Sequence, residues 1–196
     1  MRLSIKTSGV ATLGFLAAIV ATICDGVHVY TKTLSYPDPW LFNQAWWVFP
    51  GFFIAFVGMT ICYLVISSQL RPIINLRESS SFGSAQDLIE NLTIFAIIYI
   101  LSGFGNFDPL ALSIIIYSTF ILRWLFSYDR LWLLILAFLL AIGGMAFEGL
   151  LAEFDQVTYR HSDIFNVPWW LGGVYMHGAF ALRAGMRALV YNGYHH

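Results

Sequence analysis

Residues 109–152 read PLALSIIIYSTFILRWLFS-YDR-LWLLILAFLLAIGGMAFEGLLA, two apolar runs on either side of Tyr128-Asp129-Arg130. Each run holds a single charge, Arg123 near the end of the first and Glu148 late in the second. A helix needs about 20 predominantly apolar residues to cross the hydrocarbon of a bilayer. The stretch therefore reads as two membrane-spanning helices joined by a short charged turn. Working outward, four further runs of the same kind predict spans at 8–30, 45–67, 88–106 and 168–190, beside 109–127 and 131–152.

Six such helices use most of the 196 residues, so the expectation is an all-α integral membrane protein forming one domain over 1–196. A chain that is 59% hydrophobic and 11% charged lies far from soluble domains, in which charged residues make up about 25%. The ten Lys and Arg residues are unevenly distributed. Arg2, Lys6, Arg71, Arg77, Arg123, Arg130, Arg183 and Arg187 flank the runs on one side, and only Lys32 and Arg160 fall in the alternate gaps. Eight against two predicts cytosolic N- and C-termini by the positive-inside rule. A net charge of −1 without a dense basic patch gives no sign of nucleic-acid binding.

The apolar run from Gly9 is too long for the h-region of a signal peptide and reads as a retained span. Cys24 and Cys62 lie inside spans without CxxC or Cys/His spacing, which favours thiols over a disulfide or zinc site. Ser79-Ser80-Ser81-Phe82-Gly83-Ser84 reads as a flexible loop, and Asn106-Phe107-Asp108-Pro109 as a tight turn between antiparallel spans. Trp40, Trp169, Trp170, Trp124 and Trp132 sit at span ends, as interfacial anchors do. Small residues at Ala137/Ala141 and Ala181/Gly185, with Gly143 and Gly144, predict close helix contacts in the last two spans.

Ionisable groups within a bilayer are costly and tend to pair or to line wet cavities. Asp25, His28, Glu148 and His177 are such groups. One reading is an intramembrane acid/base or metal site for a lipid-modifying enzyme. A second is a polar rim for a lipid pocket, and a third is hydrogen bonding that fixes helix packing. No HExxH, nucleophile elbow or phosphate-cradling loop supports the first. In the second span, Pro50 lacks a backbone donor, which predicts a kinked or opened helix, with Trp46 and Trp47 walling a pocket beside the break.

Several stretches together resemble the Insig family of sterol-sensing membrane proteins that retain partners in the endoplasmic reticulum. They are Ala45-Trp46-Trp47-Val48-Phe49-Pro50, Phe107-Asp108, and Asp129-Arg130 with Tyr128 in place of the family's Phe. The series from Tyr159 through Asp163, Val167, Trp170, Leu171 and Gly178 to Arg187 completes the match. The resemblance covers nearly the whole chain and implies a six-helix, non-enzymatic lipid sensor without cofactor beyond a bound lipid. It implies Phe95 as an aromatic against the ligand and Asp129, with Arg130, as a partner-binding point. Leu112 stands where sterol-binding members have Gln, which leaves diacylglycerol or a similar two-chain lipid beside sterol as the expected ligand.

The expected lipid site thus comprises Trp46, Trp47, Pro50, Phe95, Leu112, His28 and His177. Partners implied are the lipid, another membrane protein and further copies of the chain. The chain resembles a compact prokaryotic homologue, which implies the cytoplasmic membrane, or the endoplasmic reticulum for a eukaryotic source.

Overall fold

The structure, a computed structural model, describes residues 4–74, 76 and 83–191. Arg2, Arg77, the Ser79–Phe82 part of the serine-rich loop and the Tyr194-His195-His196 end lie outside the described residues. Six helices follow one another: α1 (Thr7–Tyr30), α2 (Val48–Leu70), α3 (Ala85–Phe104), α4 (Pro109–Leu125), α5 (Arg130–Glu153) and α6 (Trp170–Gly185). A π-helical turn over Met186–Val190 extends α6.

Local chemistry sets several of the helix ends. Ser84 caps α3 by accepting from the Asp87 amide at 3.0 Å. Asp108 caps α4 in the same way through Ala111, also at 3.0 Å, and Pro109 occupies the first helical position, where a missing N–H costs nothing. The expected turn before Pro109 is therefore present. Arg123 Nη2 donates to Asn91 Oδ1 at 2.8 Å and ties the far ends of antiparallel α3 and α4.

Four helices, α1, α2, α3 and α5, are long and apolar enough to span a bilayer. α4 and α6 are shorter, at 17 and 16 residues. Burial explains α6, since twelve of its sixteen residues are buried. A helix buried all round needs no lipid-facing apolar surface. It packs against α5, α3 and α4 and forms the centre of the bundle. Gly144 of α5 faces the ring of Tyr175, and Gly173 of α6 faces Ile116 and Tyr117, so closely that an added Cβ would collide. The small residues of these helices therefore permit the close approach expected of them.

The start of α1 lies beside the end of the α6 extension, because the Lys6 amide donates to Val190 O at 2.8 Å and Ile5 bridges to Tyr191. At the opposite end, two short strands, β1 (Leu34–Ser35) and β2 (Thr158–Tyr159), pair antiparallel, Leu34 with Tyr159 and Ser35 with Thr158. They join the α1–α2 connection to the α5–α6 connection. One buried cluster, including Cys24, Tyr99, Ile116 and Trp170, underlies the strands. A second, including Leu13, Tyr63, Trp132 and Tyr191, lies toward the termini.

Two expectations change here. Trp132 and Trp170 are fully buried and donate to Tyr63 Oη at 2.9 Å and Asn106 Oδ1 at 3.0 Å, so they are core residues and not interfacial anchors. Their indole N–H groups find partners inside, which removes the usual reason for a tryptophan to stay at the interface. Pro50 does not break α2. The helix begins at Val48, so Pro50 lies in its first turn, where backbone amides have no helical acceptor to lose.

Candidate functional site

α2 packs on α1, and α5 packs on α6, leaving a gap between α2 and α5. The gap is a cleft of about 680 Å³. Phe52, Ala55, Phe56 and Met59 of α2 form one wall, and Leu136, Leu140, Gly143 and Phe147 of α5 form the other. Tyr175 of α6 forms part of its back, while Tyr36, Trp47 and Val157 close the strand end. A smaller cavity of about 60 Å³ shares Phe52, Phe56, Met59, Leu140 and Tyr175 with it and adds Phe95 and Gly178. Every helix except α4 contributes to these two spaces.

The walls are almost wholly apolar, with one carboxylate at the strand end. Glu148 Oε1 accepts from Tyr175 Oη and Oε2 from Tyr159 Oη, both at 3.0 Å. Nearby, Asp25 Oδ2 accepts from Tyr36 Oη at 2.9 Å and from Gln44 Nε2 at 2.8 Å. Buried Asp25 and half-buried Glu148 thus each have two donors, which offset their desolvation. Burial pushes the Tyr36 hydroxyl well above the ordinary tyrosine pKa, and the Asp25 and Glu148 carboxylates push it the same way. Burial likewise raises Tyr159, followed by the nearby Glu148. Both phenols therefore stay protonated and act as donors.

The expected site residues divide. Trp47 lines the cleft and meets Tyr36 edge-on at 5.6 Å. Phe95 lines the smaller cavity. Trp46 is 70% exposed on the outer surface, and Pro50 is exposed beside it. Leu112 is buried against Gly105, away from both cavities. His28 Nε2 lies 3.0 Å from Tyr99 O and 2.9 Å from Ser102 Oγ, pinning α1 to α3. His177 lies deeper, its Nδ1 2.8 Å from Arg123 Nη1 and its Nε2 3.1 Å from Ile116 O.

Asp25, His28, Glu148 and His177 each have hydrogen-bond partners of their own, and none of these bonds joins one of the four to another. Among the described residues, no group of three or more His, Cys, Asp or Glu side chains could hold a metal ion.

The resemblance implies Asp129 as a partner-binding point at the α4–α5 turn. It accepts from Arg187 Nη2 at 2.7 Å, with only 9% of its side chain exposed. The cause is the left-handed backbone of Asp129, φ 53°, which turns the residue inward toward the end of α6. Arg130 remains exposed, with Nε donating to Ser127 O at 3.2 Å. Arg183 donates to Tyr128 O at 2.7 Å, and the Arg123 guanidinium lies 4.0 Å from the Phe180 ring centroid. Arg187, Arg183 and Arg123, three of the eight basic residues on the terminal side, are thus engaged within the bundle.

Sequence reasoning did not find Tyr175, Tyr36, Phe52, Phe56 and Met59 as site residues. Phe52, Phe56 and Met59 recur at i, i+4 and i+7, a readable helix stripe. In a span apolar on every side, such a stripe does not by itself reveal which face borders a cavity.

No family model and no curated protein sequence matches the chain. A solved structure does: that of the Insig homologue MvINS from Mycobacterium vanbaalenii, at TM-score 0.75 and 18% identity over 96% of both chains. The chain has the Insig-homologue fold. A cross-linked trimer of a cysteine-substituted MvINS matches at TM-score 0.73 and 20% identity, covering 96% of this chain and 95% of that one. At such identities the likeness is one of fold. With the apolar helices, it makes this an Insig-like integral membrane protein, and the α2–α5 cleft belongs to an Insig-like bundle.

Proposed function

We propose that this Insig-like protein binds one hydrophobic lipid in the α2–α5 cleft and uses its occupancy to bias association with another membrane protein. The observation that carries the reading is the cleft itself. Its volume, about 680 Å³, falls within the roughly 300–1,000 Å³ typical of small-molecule sites. Its walls are apolar, and Glu148 stands at one end. Each carboxylate oxygen has a lone pair beyond the one its tyrosine uses, so a ligand hydroxyl can donate there. A neutral lipid with a small hydroxylated head, diacylglycerol-like or sterol, matches that arrangement. Leu112 lies outside the cleft and does not decide between the two.

Coupling to a partner requires that the lipid bind one state of the protein better than another. α2 is suited to that role because α1 is its main helix neighbour, with the Tyr63–Trp132 bond joining it to α5, and because it has only four buried residues. Partner docking at the Asp129–Arg130 turn belongs to this proposal, with Arg130 as its exposed member. Homo-oligomer formation belongs to it as well, on the precedent of the MvINS trimer. The terminal end is assigned to the cytosol of a prokaryotic cytoplasmic membrane, following the basic residues.

Gly143 supplies the test. A Cβ at this position meets nothing within 4 Å and Gly143 lines the cleft, so Gly143→Phe is expected to place a ring there. Native mass spectrometry of gently purified protein is expected to show one retained lipid in the wild type and roughly ten-fold lower retention in the variant, a difference of about 1.4 kcal/mol. Equal retention in both proteins would remove the cleft as the binding site.

A further inference from the structure

Lys32 and Arg160 are the two basic residues set apart from the other eight in the sequence. The structure brings them to the same place. The β1–β2 ladder continues through an Arg160 amide to Thr33 carbonyl bond of 2.9 Å, which sets Arg160 beside the Lys32–Thr33 turn. Both residues line a pocket of about 430 Å³ at the strand end of the bundle.

The rest of the lining is rich in donors. Ser35 and Thr158 face each other across the ladder, and Asn43 stands opposite. Among the described residues, no Asp or Glu lines the pocket. That exclusion is informative, because this end of the protein carries Asp38, Asp108, Glu153, Asp155 and Asp163. Like charges brought together raise the energy unless a counter-charge joins them. Among the described residues, neither Lys32 nor Arg160 forms an ion pair, despite the acids available nearby. The Arg160 guanidinium lies over the Phe107 ring at 5.2 Å, a contact that uses its face and none of its N–H groups.

We propose that this pocket binds a phosphate group, that of an anionic lipid headgroup or a free phosphate. Two cations, two hydroxyls and an amide without a carboxylate match the several acceptor oxygens of phosphate. The depth favours the lipid source. Tyr30, Trp40, Phe42 and Trp46 surround this end, between 70% and 80% exposed, and such aromatics sit at headgroup level. The pocket also adjoins the cleft, since Tyr36 lines both. The assignment does not require that the cleft hold a lipid.

The test uses full-length protein in phosphatidylcholine nanodiscs, with and without phosphatidylglycerol, compared with K32Q/R160Q and K32R/R160K. The residues are exposed, so the substitutions leave the buried packing intact. Native mass spectrometry is expected to show phosphatidylglycerol retained by the wild type and by K32R/R160K. In K32Q/R160Q, retention should be roughly thirty-fold lower. Thermal stabilisation of the wild type by inorganic phosphate, absent in K32Q/R160Q and without phosphatidylglycerol retention, would support the site with soluble phosphate as the source. If neither probe distinguishes wild type from K32Q/R160Q, the assignment falls. Diacylglycerol retention, followed in the same samples, reports on the cleft separately.

Discussion

Asp129 shows how one backbone angle redirects a residue's role. Its left-handed conformation directs the carboxylate onto Arg187, and both side chains are under a tenth exposed. Removing one member of such a pair costs far more than losing a surface ion pair, on the order of 3 kcal/mol. Asp129→Ala is therefore expected to lower thermal stability clearly in detergent, where an exposed docking residue would leave the melting temperature unchanged. A partner-binding assay on this variant must accordingly be read beside its melting curve. At the other end, the Tyr36 and Tyr159 hydroxyls have pKa values raised above the ordinary 10.0 by burial first and by neighbouring carboxylates after it. The folded state thus favours the protonated phenols, while the unfolded chain ionises near pH 10. Their contribution is complete below that pH and declines as pH rises past it. Melting temperature should fall in alkaline titration, and Tyr36→Phe/Tyr159→Phe should flatten that fall while lowering stability at neutral pH.

Adjacent glycines on α5 separate what packs from what remains open. Gly143 faces the cleft, whereas a Cβ on Gly144 would lie 2.5 Å from the Tyr175 ring, behind which α6 is buried. Overpacking of this kind costs typically 1–3 kcal/mol. Gly144→Val is expected to lower stability by about 2 kcal/mol and to disturb the Tyr175–Glu148 bond, while Gly143→Val remains near wild type in the same thermal melt. The elements also show how much the sequence disclosed. Hydropathy located all six helices, and the Asp108-Pro109 pair marked the start of α4. The role of Pro50 was not legible, because an apolar flank hides where a helix begins and three residues decide whether proline breaks it or starts it. Trp132 and Trp170 were similarly ambiguous, since an interfacial and a buried tryptophan look alike until an acceptor is seen.

The whole bundle combines a terminal end rich in basic residues with a strand end that carries most of the acidic ones. The hydrogen bond between Lys6 and Val190 places the start of α1 and the end of the α6 extension on one side. If that side is cytosolic, Tyr128→Cys at the α4–α5 turn should be labelled by a membrane-impermeant thiol reagent only from the cytosol, and Tyr30→Cys only from outside. These positions are 73% and 80% exposed, so accessibility is not limited by packing. The reverse pattern would invert the charge-based orientation. The sequence alone determined the helices and the charge asymmetry, because both follow from what a bilayer demands of each segment separately. Only the tertiary structure decided which polar groups meet. Asp25 and Glu148 each drew tyrosines from other elements, His177 drew Arg123, and Lys32 and Arg160 came to line one pocket beside a two-residue ladder. In a chain apolar on nearly every face, periodicity does not indicate which stripe meets lipid, a neighbour or a cavity. The gap between α2 and α5 lies beside the bond that joins them, Trp132 to Tyr63, and no segment records that arrangement by itself.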